Sequence, residues 1–251
     1  MRKRVTLLLL LVLSALALAT TAGAATPVTK AQREVLVVSP GLAQGSAVER
    51  AFYDFVEFNA VALATTTLGA RYAAVNLLRG SAATPAGFLA ELDRIASKPG
   101  VRAVDMIFLT HGLTNEVSLH GRDVTVAELG AGIRLRLTAA ERAKLRMVFS
   151  TACFGASHLT AWRNAGFRAA SGSRGVYADS AASYLPFLSA WAVGASFGAS
   201  VTAANVAGAS SSWDAAAKPW LVAHGRPELA AQVNSWRVTS GSTSLTIGTM
   251  P

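Results

Sequence analysis

Residues 146–155 read RMVFSTACFG, and this stretch joins a short apolar run to a polar tip that carries the only cysteine of the chain. The run MVF predicts a buried strand, and residues 157–165 follow with the pattern of a helix. In α/β folds, ligands bind beyond the carboxyl ends of the strands. Cys153, at the end of such a strand, is therefore a candidate nucleophile.

A second stretch upstream has the same form. Residues 104–112 read VDMIFLTHG, an apolar run that ends in Thr-His-Gly. Two neighbouring parallel strands would bring His111 and Cys153 to one edge of the sheet, where a thiol and a base form a nucleophilic pair. The gap of 42 positions from 111 to 153 leaves room for a strand–crossover–strand unit of about 30 residues.

Strands and helices alternate along the chain, as apolar runs and capping signals indicate. The predicted strands are 34–39, 72–78, 104–109, 147–149 and 167–171; the predicted helices are 46–63, 84–97, 138–145 and 157–165. A hairpin is expected from 117–120 and 123–126, helices from the uncharged stretch 180–213, and a final edge hairpin from 235–247. The alternation predicts an α/β fold, a three-layer sandwich with a mostly parallel central sheet.

The two motif blocks, MIFLTHG at 106–112 and MVFSTAC at 147–153, resemble the signature of the caspase-like cysteine peptidases. That group includes legumains, gingipains and clostripain. The order and the gap agree with the caspase pattern, in which the His lies about 50 residues before the Cys. The chain is also similar to CHAT-domain proteins, although Phe154-Gly155 stands where these often have Thr-Gly. The resemblance covers roughly residues 34–175 and implies that the sandwich is caspase-like.

This resemblance implies hydrolysis of peptide bonds in a peptide or protein substrate, with Cys153 as nucleophile and His111 as general acid–base. The backbone N–H groups of Cys153 and Gly112 would hold the oxyanion, since glycine lets the main chain approach a substrate closely. A thiol paired with a charged histidine would react well below the ordinary cysteine pKa of about 8.5. No metal or cofactor is expected, because His120 and His158 form no ligand cluster with the cysteine, and His158 is expected at the surface.

Polar residues at or after strand ends are the candidates for substrate binding: Thr151, Ser171, Ser173 and Asp179. Thr151 stands two positions before the cysteine, where members that cut after Arg or Lys often carry Asp and legumains carry Glu. Thr151 lacks that acidic group, so Asp179 is the nearest acidic candidate for a basic side chain. The cleavage preference stays open.

Length and composition predict the number of domains. The chain has 251 residues, 52% of them hydrophobic, which predicts a single domain over residues 25–251.

Residues 1–24 have the basic start, apolar stretch and small-residue site of a secretory signal peptide, which predicts a secreted or periplasmic protein that is free of the membrane after cleavage. An uncleaved anchor is the alternative. The net charge of +9 comes without a recognisable nucleic-acid-binding module, so no nucleic-acid partner is expected. The oligomeric state stays open.

Two other hypotheses compete with a cysteine peptidase. Residues 194–198, GASFG, match the G-x-S-x-G pattern of a serine α/β-hydrolase with Ser196 as nucleophile, and Asp214 and His224 follow in the right order. That hypothesis needs a strand before Ser196, and residues 188–193 make a poor one. The third hypothesis is a caspase-like module that binds a partner without catalysis.

Overall fold

The structure is a computed structural model, and it describes residues 25–41 and 46–250 of the chain. The predicted signal peptide, residues 1–24, lies outside the described residues. In this part the strands are β1 (Thr26–Pro27), β2 (Arg33–Ser39), β3 (Ala74–Arg79), β4 (Ala103–Phe108), β5 (Gly112–Leu113), β6 (Glu116–Leu119), β7 (Arg122–Thr125), β8 (Leu145–Ser150), β9 (Ala169–Ser173), β10 (Arg237–Gly241) and β11 (Thr249–Met250). The helices are α1 (Ala47–Gly69), α2 (Pro85–Ala96), α3 (Val126–Arg136), α4 (Ala139–Arg142), α5 (Leu159–Ala165), α6 (Ser180–Ala192), α7 (Phe197–Ala209), α8 (Trp213–Ala223) and α9 (Pro227–Ala230).

The described residues form a six-stranded central sheet in the order β10-β9-β8-β4-β2-β3. Strands β9, β8, β4, β2 and β3 are mutually parallel, and β10 pairs antiparallel with β9 at one edge. The strands in the middle of the sheet are almost continuously apolar, which is typical of parallel strands buried on both faces. The predicted mostly parallel α/β sheet is confirmed.

Two apolar cores lie on opposite faces of this sheet and make it the middle layer of three. One core packs α2, α3 and α5 against side chains such as Leu36, Met106 and Val148. The other packs α1, α6 and α7 against the alternate residues of the same strands, such as Val37 and Ile107. Successive strand residues point to opposite faces, so each strand contributes to both cores.

Local sequence signals set several boundaries as predicted. Thr84 begins α2, and its Oγ1 accepts a hydrogen bond from the Gly87 N–H at 3.0 Å. The hairpin is confirmed as β6 and β7, and β5 adds a third strand to it. The capping box of Thr138 and Glu141 is also present, but α4 ends at Arg142 because β8 begins three residues later.

Other expectations need correction. Helix α3 was not among the predicted elements, and the C-terminal stretch forms the single edge strand β10 rather than a hairpin. Helices α6 and α7 occupy the uncharged stretch, as predicted. Among the described helices, none combines the length and the apolar character that crossing a membrane requires.

Candidate active site

The register of the sheet places His111 and Cys153 at equivalent points. Strands β4 and β8 are parallel neighbours, and Phe108 lies opposite Ser150. The Thr151 N–H donates to the Phe108 carbonyl at 2.9 Å, which extends the ladder by one step. His111 and Cys153 each lie three residues beyond that last pair, at the carboxyl edge of the sheet. The structure thus brings together the two strand ends that carry the predicted thiol and base.

Gly112 allows these two strand ends to pack closely. A Cβ atom on Gly112 would lie 2.8 Å from the Ala152 Cβ and 3.1 Å from the Cys153 carbonyl oxygen. Real Cβ atoms do not approach other atoms at the shorter of these distances, so a larger residue at position 112 would force the strand ends apart. The backbone beside His111 is therefore in contact with the backbone beside Cys153.

The loop after β9 covers the thiol. The Tyr177 N–H donates to the Cys153 Sγ at 3.3 Å, and the Phe154 N–H donates to the Gly175 carbonyl at 2.8 Å. Phe154 itself has a φ of 54°, a left-handed conformation that is uncommon for a side chain of this size. It turns the chain sharply, directly after the candidate nucleophile.

Burial determines the protonation of the resting thiol. Cys153 is partly exposed as a residue, yet protein surrounds its sulfur, and this burial raises the pKa of the thiol. The hydrogen bond from the Tyr177 N–H acts in the opposite direction and is the smaller effect. The structure therefore favours a neutral thiol in the resting protein, contrary to the sequence-based expectation of a preformed thiolate–imidazolium pair.

An aromatic side chain holds His111 from the opposite side. The Tyr53 ring of α1 packs edge-on against the His111 ring, with centroids 5.1 Å apart. The His111 carbonyl accepts a hydrogen bond from the Ser118 N–H at 3.0 Å, which ties the His-Gly turn to β6. The first contact holds the His111 ring against α1, and the second holds its backbone against β6.

The predicted substrate-binding residues are dispersed. Thr151 is partly exposed, and its Oγ1 links β4 to β8 by accepting the Thr110 N–H at 3.3 Å. Ser171 and Ser173, by contrast, are only 1% and 0% exposed. Ser173 Oγ donates to the Gly175 carbonyl at 2.9 Å, inside the protein. Because these two serines stabilise the interior of the sheet edge, the structure corrects their expected place in a surface pocket.

Asp179 lies in a pocket of its own, apart from the strand ends that carry His111 and Cys153. Its carboxylate is nearly buried, accepts a hydrogen bond from Ser211 Oγ at 2.7 Å, and lies against Gly208 of α7. Burial raises the pKa of this carboxyl, and the Ser211 hydrogen bond opposes that shift. Asp179 lines a pocket of about 210 Å³ together with Asp214 and Ser235. The structure describes no contact between its side chain and the strand ends of the dyad.

Arg237 is a site neighbour that the sequence did not reveal. Its fully buried guanidinium lies 3.8 Å from the centroid of the Phe149 ring and 4.9 Å from that of Tyr177. It donates to the carbonyl of Ser150 and, at 3.2 Å, to that of Ser171. Within the described residues no carboxylate pairs with it. Arg237 thus supports the end of β8 and the residue that donates to the cysteine sulfur. Its only sequence signal is a lone arginine within a short alternating strand.

His158 is likewise buried, not at the surface as expected from its place on the helix after the cysteine. Its Nε2 lies 2.8 Å from the Leu113 carbonyl, so the neutral ring donates there. Burial lowers the pKa of this imidazole. No group of three or more His, Cys, Asp or Glu residues within the described chain is arranged to hold a metal ion.

The serine-hydrolase hypothesis does not fit the structure. The segment before Ser196 is helix α6 rather than a strand, and Ser196 caps α7 by accepting the Ala199 N–H at 3.2 Å. Asp214 accepts hydrogen bonds from Ser235, and the His224 ring stacks on Trp220. The three residues therefore do not form a triad.

Solved structures have folds similar to that of this chain. Caspase-1 from Spodoptera frugiperda matches with a TM-score of 0.55 and 11% identity, over 88% of this chain and 91% of that chain. The fold is caspase-like. The Arg-specific cysteine proteinase gingipain R matches with a TM-score of 0.50 and 13% identity, over 88% of this chain. This chain covers 49% of the gingipain R chain, about half its length. No protein-family model and no curated protein matches the sequence.

Proposed function

We propose that this protein is a cysteine peptidase that hydrolyses peptide bonds through Cys153 and His111. The observation that carries the proposal is the register of β4 and β8, from which His111 and Cys153 extend by equal lengths at one edge of the sheet. Both solved structures compared above are of cysteine peptidase types with the same fold. Peptides or proteins are the proposed substrates, and export through the N-terminal segment is part of the proposal.

The chemistry starts from a protonated Cys153 thiol. His111 accepts the thiol proton as the Cys153 sulfur attacks the scissile carbonyl carbon, and the N–H groups of Cys153 and Gly112 stabilise the oxyanion. The C–N bond then breaks, and His111 gives its proton to the leaving amine. His111 next takes a proton from water, whose oxygen adds to the thioester carbonyl carbon. The C–S bond breaks, the carboxylic acid product leaves, and protonated His111 returns the proton to the Cys153 thiolate.

One observation favours a second candidate, a caspase-like module that binds a partner without catalysis. Burial raises the pKa of the Cys153 thiol, and the Tyr177 N–H occupies one side of its sulfur. A reactive nucleophile usually has a lowered pKa and open access to its substrate. In the binding-module case, replacing Cys153 leaves the function of the protein unchanged.

Peptide cleavage by matched variants tests the proposal. The wild-type protein, Cys153→Ala and His111→Gln are each incubated with a library of fluorogenic peptides. We expect cleavage by the wild type and a loss of about a thousandfold or more in kcat for each variant, because either half of a dyad is useless alone. His120→Gln is the matched control, since His120 is exposed at the turn of the β6–β7 hairpin. Cleavage that survives in Cys153→Ala would refute the proposal.

A further inference from the structure

A groove lies at the same edge of the sheet as the dyad. It has a volume of about 800 Å³, and it runs between the first half of α1 and the turns that follow β2 and β3. One wall consists of Phe55 and Phe58, and the opposite side includes Arg79 and Gly80. Gly41, two residues after β2, also lines the groove.

Three phenylalanines make this part of α1 unusually apolar for an exposed surface. Phe52, Phe55 and Phe58 recur at every third position, so they share one side of the helix, and they are 53%, 65% and 65% exposed. The second half of α1 behaves differently, because Val61, Ala64 and Leu68 are buried in the core. An exposed apolar patch of this kind beside a groove is typical of a binding surface.

The order of the strands gives the distance from this groove to the dyad. Cys153 follows β8, His111 follows β4, and the groove lies beyond β2 and β3, the next two strands in the sheet. Neighbouring strands are about 4.8 Å apart, so the end of β2, where the groove begins, lies about 10 Å along the edge from the end of β8, which carries Cys153. An extended peptide covers that distance with about three residues.

Aromatic contacts link α1, the helix that forms one side of the groove, to the proposed base. The Tyr53 ring lies against His111, and the Phe52 ring lies 5.7 Å from Tyr53 on the other side. Within the groove, Glu57 accepts a hydrogen bond from Ser39 at 2.7 Å and lies 3.8 Å from the Arg79 guanidinium. Ser39, Glu57 and Arg79 thus bind one another, and the exposed rings of Phe55 and Phe58 give the groove its apolar surface.

We propose that this groove, lined by Phe55 and Phe58, is a substrate subsite for an aromatic or large aliphatic side chain about three residues from the scissile bond. The proposal rests on the proposed function, since the substrate is the polypeptide that the dyad cleaves. An acidic side chain is disfavoured there by the carboxylates of Asp54 and Glu57, because among the described residues that line the groove they outnumber the cation of Arg79.

Cleavage kinetics test the subsite directly. A positional peptide library first identifies the preferred residue at two to four positions from the cut; kcat and KM are then measured for the best aromatic peptide and for its alanine counterpart. For Phe55→Ala and Phe58→Ala we expect KM for the aromatic peptide to rise about tenfold, with kcat nearly unchanged, and no change for the alanine peptide. Leu135→Ala is the control, because Leu135 is 89% exposed on α3 and away from the groove. Equal preference for the aromatic peptide in wild type and Phe55→Ala would overturn the subsite.

A binding measurement separates failure of the subsite from failure of the peptidase proposal. Full-length Cys153→Ala is titrated with a fluorescently labelled peptide that carries one phenylalanine among alanines, with and without Phe55→Ala, and binding is followed by polarisation. About tenfold weaker binding with Phe55→Ala supports the subsite even if the wild type cleaves nothing. If the peptide does not bind, or binds equally well with and without Phe55→Ala, the subsite proposal is overturned.

Self-association is the remaining outcome. Phe55→Leu, which keeps an apolar side chain, is compared with Phe55→Ala by analytical ultracentrifugation. A monomeric wild-type protein supports the subsite. A dimer that Phe55→Ala dissociates would assign the groove to a second copy of the chain and overturn the proposal.

Discussion

The thiol of Cys153 illustrates how surroundings outweigh proximity to a base. Because burial raises the pKa of this thiol, we expect its alkylation rate to rise with pH around an inflection above the ordinary value of about 8.5. The measurement is the rate of iodoacetamide modification, followed by intact mass between about pH 6 and pH 10. The same chain unfolded in denaturant is the control and should show the ordinary inflection. An inflection below that value, lost in His111→Gln, would instead demonstrate a preformed ion pair.

At the scale of elements, the contact between the β4 and β8 ends depends on one glycine. In Gly112→Ala the new Cβ meets the Ala152 Cβ and the backbone of Glu116 and Cys153, so the two turns must separate. We expect a loss of about 1–3 kcal/mol in the free energy of unfolding, measured in urea, and a large loss of any peptide cleavage. Gly69→Ala is the matched control, because a Cβ there, at the end of α1, meets nothing within 4 Å. Equal stability of Gly112→Ala and wild type would contradict the described packing.

The elements show which parts of the fold the sequence makes predictable. Parallel strands buried on both faces are apolar runs, so β4 and β8 could be located, and their carboxyl ends had to share an edge. Helix α3 escaped prediction because Gly130 and Gly132 look like helix breakers. In the structure they are packing positions, since a Cβ on Gly132 would lie 2.6 Å from the Leu89 side chain and one on Gly130 would lie 3.2 Å from the Ala161 carbonyl.

Of the residues of the candidate site, only those that follow the end of a strand could be predicted from the sequence. His111, Gly112 and Cys153 follow buried strands, so local patterns locate them. Tyr53, Tyr177 and Arg237 reach the same place from a helix, a loop and the edge strand, and their arrival depends on how these elements pack. No spacing along the chain encodes that packing, which is why these three residues emerge only from the structure.

At the scale of the whole molecule, one buried ion pair connects the sheet to the C-terminal segment. Arg146 of β8 and Asp105 of β4 are both fully buried, with Arg146 Nε donating to Asp105 Oδ1 at 3.1 Å. Asp105 also accepts a hydrogen bond from the Tyr72 hydroxyl at 2.5 Å. Arg146 Nη1 donates to the carbonyls of Ile247 and Thr249, each at 2.9 Å, and so holds the C-terminal residues against the sheet.

Removing the arginine should therefore destabilise the whole domain and release its C-terminal segment. In Arg146→Met, Asp105 remains as an unpaired buried charge, and we expect a loss of about 3–5 kcal/mol in the free energy of unfolding. Hydrogen exchange should accelerate at the amides near Ile247, because their segment loses its anchor. Asp105→Asn in the same chain should restore part of the stability, since it removes the unpaired charge. Arg136→Met is the control: its ion pair with Asp93 is partly exposed, so its loss should cost less than about 1 kcal/mol. If both arginine variants lose the same free energy, burial is not what makes the Arg146–Asp105 pair important, and the connection between sheet and C-terminal segment must depend on the apolar contacts of Leu245 and Ile247 instead.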